Sequence, residues 1–141
     1  MADISLTTAT VFRIVESLRQ FSAVAGEDLA AGDIVRIVAA DAGAGCVVKA
    51  DASAAGTADA KGIVLKKASS GMAVTVLCEG IVDGYDLTGQ GYGVLLYLSD
   101  TAGAFGDAAG TTSVKIGYVM PVPNSIPGQA FDKMVYVNFT L

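Results

Sequence analysis

Asp83 and Asp86 flank a Gly84-Tyr85 turn with Glu79 just upstream, and a pair of carboxylates at a mouth is the arrangement that hydrolyses glycosidic bonds at the right separation. Sugar-processing sites also carry exposed aromatic platforms, and the chain has no Trp, so solvated turn carboxylates are the simpler reading. Histidine is absent altogether. That removes Ser-His-Asp and Cys-His nucleophile systems, a histidine general base and any His-containing zinc site from the chemistry open to this sequence. Cys46 and Cys78 are the only cysteines; they form no CxxC pair, and their apolar neighbours mark them as buried free thiols. The stretches 100–103 and 107–110 begin like calcium loops but lack the alternating oxygens and terminal Glu of such loops, which leaves turn chemistry. Gly89, Gly91 and Gly93 are not followed by Lys-Ser/Thr and stand in no strand-loop-helix context, so they do not make a phosphate loop. No catalytic residue, cofactor or metal site is expected, and the chain reads as a non-enzyme.

The elements that would position any site are short. At 141 residues with 52% hydrophobic content the chain supports one core, and 17 Gly with only 7% aromatics make that core one of small and β-branched side chains. From Gly26 onward, apolar runs at 34–38, 46–49, 62–65, 73–77, 81–82, 94–98, 114–120 and 134–139 have strand lengths. Turn formers such as Ala31-Gly32-Asp33, Ser69-Ser70-Gly71 and Asp83-Gly84 separate them. The expectation is all-β: a single compact β-barrel or β-sandwich over 26–141. Lys66 and Lys67, at the end of a run, are expected to form a solvated edge.

Residues 1–25 have a different texture. Val11, Ile14, Val15 and Leu18 keep the i, i+3, i+4, i+7 spacing of a short amphipathic helix, while Thr7, Thr8, Thr10, Phe12 and their β-branched neighbours favour an extended arm. Both readings stand. The segment combines Phe12, Ile14, Val15, Leu18 and Phe21 with the cations Arg13 and Arg19, a pairing suited to a partner surface offering a groove and carboxylates.

A weak internal repeat runs through the rest. Gly26-Glu27-Asp28-Leu29 leads into the run at Ile34 as Gly84-Tyr85-Asp86-Leu87 leads into that at Val94, with Gly26 and Gly84 58 residues apart. Gly56-Thr57 precedes Lys61 to Leu65 as Gly110-Thr111 precedes Lys115 to Met120, at an offset of 54. Two related half-units forming one core follow from this.

Charge narrows the partners. A net charge of −5 disfavours direct nucleic-acid binding, which needs a concentrated Lys/Arg surface. The start of the sequence lacks a basic n-region and an apolar h-region, and no apolar run approaches about 18 residues, so synthesis in a cytoplasm and no membrane partner are expected.

The order of four stretches adds a resemblance: FRIVESLRQFSAVAGEDLAAGDIVRI (12–37), AKGIVLKKASSGMAVTVLCEGIVDGYDL (60–87), YLSDTAGAFGDAAGT (97–111) with KIGYVMP (115–121), and DKMVYVNF (132–139). In this order and spacing the chain resembles the small capsid decoration (cement) and related head proteins of tailed bacteriophages and prophages. The resemblance implies a β-rich virion protein, made in a bacterial host, that binds the exterior of an assembled capsid as a homo-oligomer, commonly a trimer. It would brace neighbouring copies of the major capsid protein. The contacts expected on the capsid or between protomers are Phe12, Arg13, Val15, Arg19, Phe21, Tyr85 and Phe105. The alternative is a carbohydrate- or receptor-binding β module of a phage fibre, for which Tyr85, Tyr92 and Phe105, near predicted turns, would supply the aromatic platform.

Overall fold

The computed structural model describes residues 3–4, 12–40, 43–87, 89–122 and 133–139. Its strands are β1 (Asp3–Ile4), β2 (Arg13–Val24), β3 (Ile34–Ile37), β4 (Val47–Lys49), β5 (Ala60–Val64), β6 (Ala73–Asp83), β7 (Leu95–Leu98), β8 (Phe105–Gly106), β9 (Lys115–Pro121) and β10 (Lys133–Asn138), with one 3-10 turn at Ala55–Thr57. They form one antiparallel sheet in the order β1-β8-β7-β9-β10-β6-β5-β3-β4, curled into a half-barrel, with β2 added along β6. The all-β, barrel-like expectation is therefore met. The two runs expected at 73–77 and 81–82 are one strand, because Glu79 and Gly80 continue the pairing of β6 with β2 and β10.

Residues 13–24 are neither helix nor detached arm. Strand β2 runs antiparallel along β6 from Arg13 opposite Asp83 to Val24 opposite Ala73. Its register slips between Ile14 and Glu16 and again between Ser17 and Arg19, so Val15 and Leu18 are extra residues with no partner on β6. Thr7, Thr8, Thr10 and Val11 lie outside the described residues.

The internal repeat is present in the topology. Strands β3, β4, β5 and β6 are joined in the order β4-β3-β5-β6, and β7, β8, β9 and β10 in the matching order β8-β7-β9-β10. Registers agree residue by residue. Ile34 and Val35 face Ile63 and Gly62 before a bulge brings Arg36 opposite Ala60; Leu95 and Leu96 face Tyr118 and Gly117 before the same bulge brings Tyr97 opposite Lys115. The turn before each unit is also shared. Gly32 N–H donates to the Val64 carbonyl and Val64 N–H to that of Asp33, both at 2.8 Å; Gly93 N–H donates to Val119 at 2.8 Å and Val119 N–H to Val94 at 3.0 Å. Both glycines sit at positive φ, 91° and 78°, where a side chain would be strained. Gly62 and Gly117 are equivalent for a second reason: a Cβ at Gly62 would lie 2.6 Å from the Leu77 carbonyl oxygen, and one at Gly117 would overlap that of Tyr136.

Two apolar clusters hold the sheet. The main one draws Ile34, Ile63 and Leu77 from the first unit against Leu96, Leu98, Phe105, Ile116, Val119, Val135 and Val137 from the second. The smaller one lies on the other face of the first unit. Val35, Val64 and Val76 are covered there by Leu29 and Ala25, with Phe21, Ala23 and Ala68 packed alongside.

Candidate interaction surface

The outer face of the second unit carries a row of side chains set by register: Leu95, Tyr118, Tyr136, Ile81 and Glu16 lie side by side across β7, β9, β10, β6 and β2. The next row places Asn138 beside Glu79 and Arg19. Cross-strand neighbours share a face, so these rows form one surface. Leu95 is 43% exposed and Tyr118 40%. The Tyr118 and Tyr136 rings are tilted together with centroids 5.1 Å apart.

Glu79 organises the polar part of this surface. Its Oε2 accepts the Tyr136 hydroxyl at 2.6 Å and its Oε1 accepts the Arg19 Nε–H at 3.2 Å, while Asn138 Nδ2 donates to the Tyr136 oxygen at 3.2 Å. A phenol donating to a carboxylate holds its proton, which raises the Tyr136 pKa above the ordinary tyrosine value. Cys78, next in sequence, is half-buried and unbridged, not fully buried as expected, and burial pushes its thiol pKa up. Cys46 is likewise free and half-buried.

Along β2, Ile14, Val15 and Leu18 are exposed at 44, 48 and 52%. Among the described residues, no strand pairs the outer edge of Arg13–Val24. Val15 and Leu18 stand out because they are the residues the bulges leave over.

The structure divides the expected contact residues. Val15 and Arg19 are exposed on β2; Arg13 faces Asp83 in the register; Phe21 is half-buried against the smaller cluster. Phe12, Tyr85 and Phe105 come together inside. The Phe12 and Tyr85 rings meet edge-on at 6.0 Å and those of Tyr85 and Phe105 at 4.9 Å. Tyr85 is 8% exposed and Phe105 1%, so neither offers an aromatic platform to a partner. The turns around them suggested loops; their rings fill the core beneath those turns. Of the three proposed platform residues, Tyr92 alone is exposed, at 41%, with Lys133 Nζ 5.2 Å from its ring centroid. Leu95, Tyr118 and Tyr136 were not singled out from sequence, although the repeat aligned their strands with those of the first unit.

A hollow of about 310 Å³ opens between the units, lined by Ile4, Asp33, Tyr85, Gly103 and Phe105 among others. The Tyr85 hydroxyl is buried there without a hydrogen-bond partner, and loss of solvent drives its pKa far up. Asp33 Oδ2 accepts the Ala30 N–H at 2.8 Å, yet burial raises the Asp33 pKa. Two of the three carboxylates first weighed are engaged: Asp83 Oδ1, of the Asp83–Asp86 pair, accepts the Gly84 N–H at 2.8 Å, and the upstream Glu79 is held by Tyr136 and Arg19. Among the described residues, no group of three or more His, Cys, Asp or Glu could hold a metal ion.

No protein-family model matches this chain, and no curated protein matches it.

Proposed function

We propose that this chain is a structural protein of a tailed-phage virion that binds the exterior of the assembled capsid and braces neighbouring capsid subunits, with β2 as its contact with the shell. The observation that carries this reading is the outer edge of β2, which no strand pairs among the described residues. A strand with Ile14, Val15 and Leu18 exposed, Glu16 between them and Arg19 next to Leu18, has the mixture of apolar anchors and charge that stable interfaces use. Its bulges discourage indiscriminate strand addition at the same edge. The resemblance of the motif order to that of capsid decoration proteins supports the same role, and an acidic net charge of −5 favours solubility before assembly.

Co-sedimentation with undecorated capsids tests it. The wild-type chain binds saturably, and Val15→Asp with Leu18→Asp weakens binding at least about tenfold, equivalent to about 1.4 kcal/mol. Absence of binding to capsids, together with specific binding on a glycan array, would favour the fibre-module reading through Tyr92 instead.

A further inference from the structure

The hollow between the two units is lined by one polar side chain that nothing in the fold pairs and a second that the fold pairs only in part. Tyr85 is 8% exposed, yet its hydroxyl has no hydrogen-bond partner, whereas buried hydroxyls are nearly always paired. Asp33 lines the same hollow. Its Oδ2 accepts the Ala30 N–H at 2.8 Å, while Oδ1 stands 3.1 Å from the place a Cβ on Gly103 would take, so any side chain at 103 would crowd this oxygen. Besides burial, the Asp33 charge opposes ionisation of Tyr85, which puts the hydroxyl on the Asp33 side of the hollow.

The surroundings of this pair select the ligand. A volume of about 310 Å³ is at the small end for a small-molecule site, and Ile4, Ala102 and Phe105 give it apolar walls. The charged side chains on its lining are Asp3 and Asp33, both acidic. An anion is repelled there, and a polyol would leave most of its hydroxyls against apolar walls. A primary ammonium on a short aliphatic chain meets every feature. Its N–H groups donate to Asp33 Oδ1 and to the Tyr85 oxygen, its chain lies along the apolar walls, and the Tyr85 and Phe105 rings, edge-on at 4.9 Å, offer aromatic surface that attracts a cation. Lys49 is the chain's own competitor for Asp33. Its Cδ would lie 3.4 Å from the same Cβ on Gly103, but it does not line the hollow, and no ion pair joins it to Asp33 among the described residues. Burial raises the Asp33 pKa, and the Ala30 N–H and the Lys49 charge offset this only in part. A carboxylate in that position gains from an arriving cation.

We infer that the hollow is a binding site for a primary ammonium on a short aliphatic chain, either a free alkylamine or the side chain of a partner's lysine, held by Asp33 and Tyr85. None of the described residues that line it belongs to β2, so the inference goes beyond the proposed function and does not rest on it.

Nuclear magnetic resonance titration of the full chain tests it with three probes: n-butylammonium chloride, its neutral analogue n-butanol, and Nα-acetyl-lysine N-methylamide. The ammonium shifts the Gly32 and Gly103 amide signals saturably with a Kd of about 1 mM, and n-butanol binds at least about tenfold more weakly. Asp33→Asn keeps an acceptor for the Ala30 N–H; it weakens ammonium binding at least about tenfold and leaves n-butanol unaffected. Tyr85→Phe keeps the ring and weakens ammonium binding about three- to tenfold. Ala102→Phe, at an exposed position on the lining, fills the hollow and abolishes binding of both probes, and circular dichroism melting checks that each variant is folded. The lysine compound separates the sources: binding as tight as that of n-butylammonium supports a partner's lysine, and binding of n-butylammonium alone supports a free amine. Absence of saturable shifts with n-butylammonium at about 100 mM overturns the inference. So does equal affinity for n-butanol, or an affinity that Asp33→Asn and Ala102→Phe leave unchanged. Each of these failures leaves the proposed function standing, because capsid binding is read through Val15 and Leu18.

Discussion

Tyr85 shows at the scale of one residue how a ring and its hydroxyl can pull in opposite directions. The ring lies between Phe12 and Phe105, and its removal leaves a cavity in the main cluster, so Tyr85→Ala costs about 3 to 5 kcal/mol. The hydroxyl is buried without a partner, which is a cost in the folded state, so Tyr85→Phe leaves stability unchanged or raises it by about 1 kcal/mol. Urea unfolding of the two variants separates these effects; a Tyr85→Phe protein destabilised by as much as the alanine variant would show that the hydroxyl is satisfied in solution. Tyr136 adds to the alkaline pH dependence that the raised Tyr85 and Cys78 also bring. Its folded pKa is raised, above all by the hydrogen bond to Glu79, so the folded chain keeps a proton that the unfolded chain loses near about pH 10. The resulting stabilisation is fully present below that pH and is lost as pH rises through the folded value. Tyr136→Phe removes this contribution, and unfolding midpoints measured between pH 8 and 11 should fall less steeply for it than for the wild type.

At the scale of elements, β2 and the two repeat units behave differently toward sequence reading. The repeat was legible through Leu29 and Leu87, which are buried in the same way in front of their units; the matching positive-φ turns at Gly32 and Gly93 emerged only from the structure. Strand β2 was legible only as one of two alternatives, a short helix or an extended arm. Its two bulges insert Val15 and Leu18 into an alternating pattern, and the apolar residues then fall at the spacing of a helix face. Strand β6 was cut in two because Glu79-Gly80 has the composition of a turn, whereas Glu79 is half-buried and engaged by Tyr136 and Arg19. The interior position of Tyr85 and Phe105 was hidden by the glycines beside them. The equivalence of Gly62 and Gly117 yields a direct test. Alanine at either site pushes against a neighbouring strand's carbonyl, and each substitution should cost more than the about 1 kcal/mol typical of a point mutation, with the larger loss at Gly117. Deletion of residues 1–24 removes a strand paired from Ala73 to Asp83, Cys78 excepted, and strips Phe21 and Ala23 from the smaller cluster. The truncated chain should be insoluble or melt well below the full chain; a truncated protein with an unchanged melting temperature would show that β2 is dispensable to the fold.

The whole molecule is tied together by a main cluster that neither unit can build alone. Ile34, Ile63 and Leu77 come from one unit, and Leu96, Ile116, Val119 and Val135 from the other. Burial of each large aliphatic side chain is worth about 1.5 to 3 kcal/mol, so exposing only the three from the first unit removes about 4.5 to 9 kcal/mol. Domains of this size are stable by about 5 to 15 kcal/mol in total, so losing one unit consumes most of the margin. Strands β6 and β10 also pair directly, Val135 opposite Val82 through Asn138 opposite Glu79, which couples the backbones as well as the side chains. Unfolding should therefore be a single transition, with calorimetric and van't Hoff enthalpies in agreement. The same accounting predicts how fragments behave. A chain of residues 89–141 alone lacks the partners of its own inner face, and it should be unfolded by circular dichroism or aggregate through that face. Co-expression with residues 1–87 restores both the cluster and the β6–β10 pairing, so the two fragments should co-purify as one folded complex. A 89–141 fragment that folds cooperatively by itself would mean that the second unit is an independent domain, and that its contact with Ile34, Ile63 and Leu77 is an interface between domains instead of a shared core.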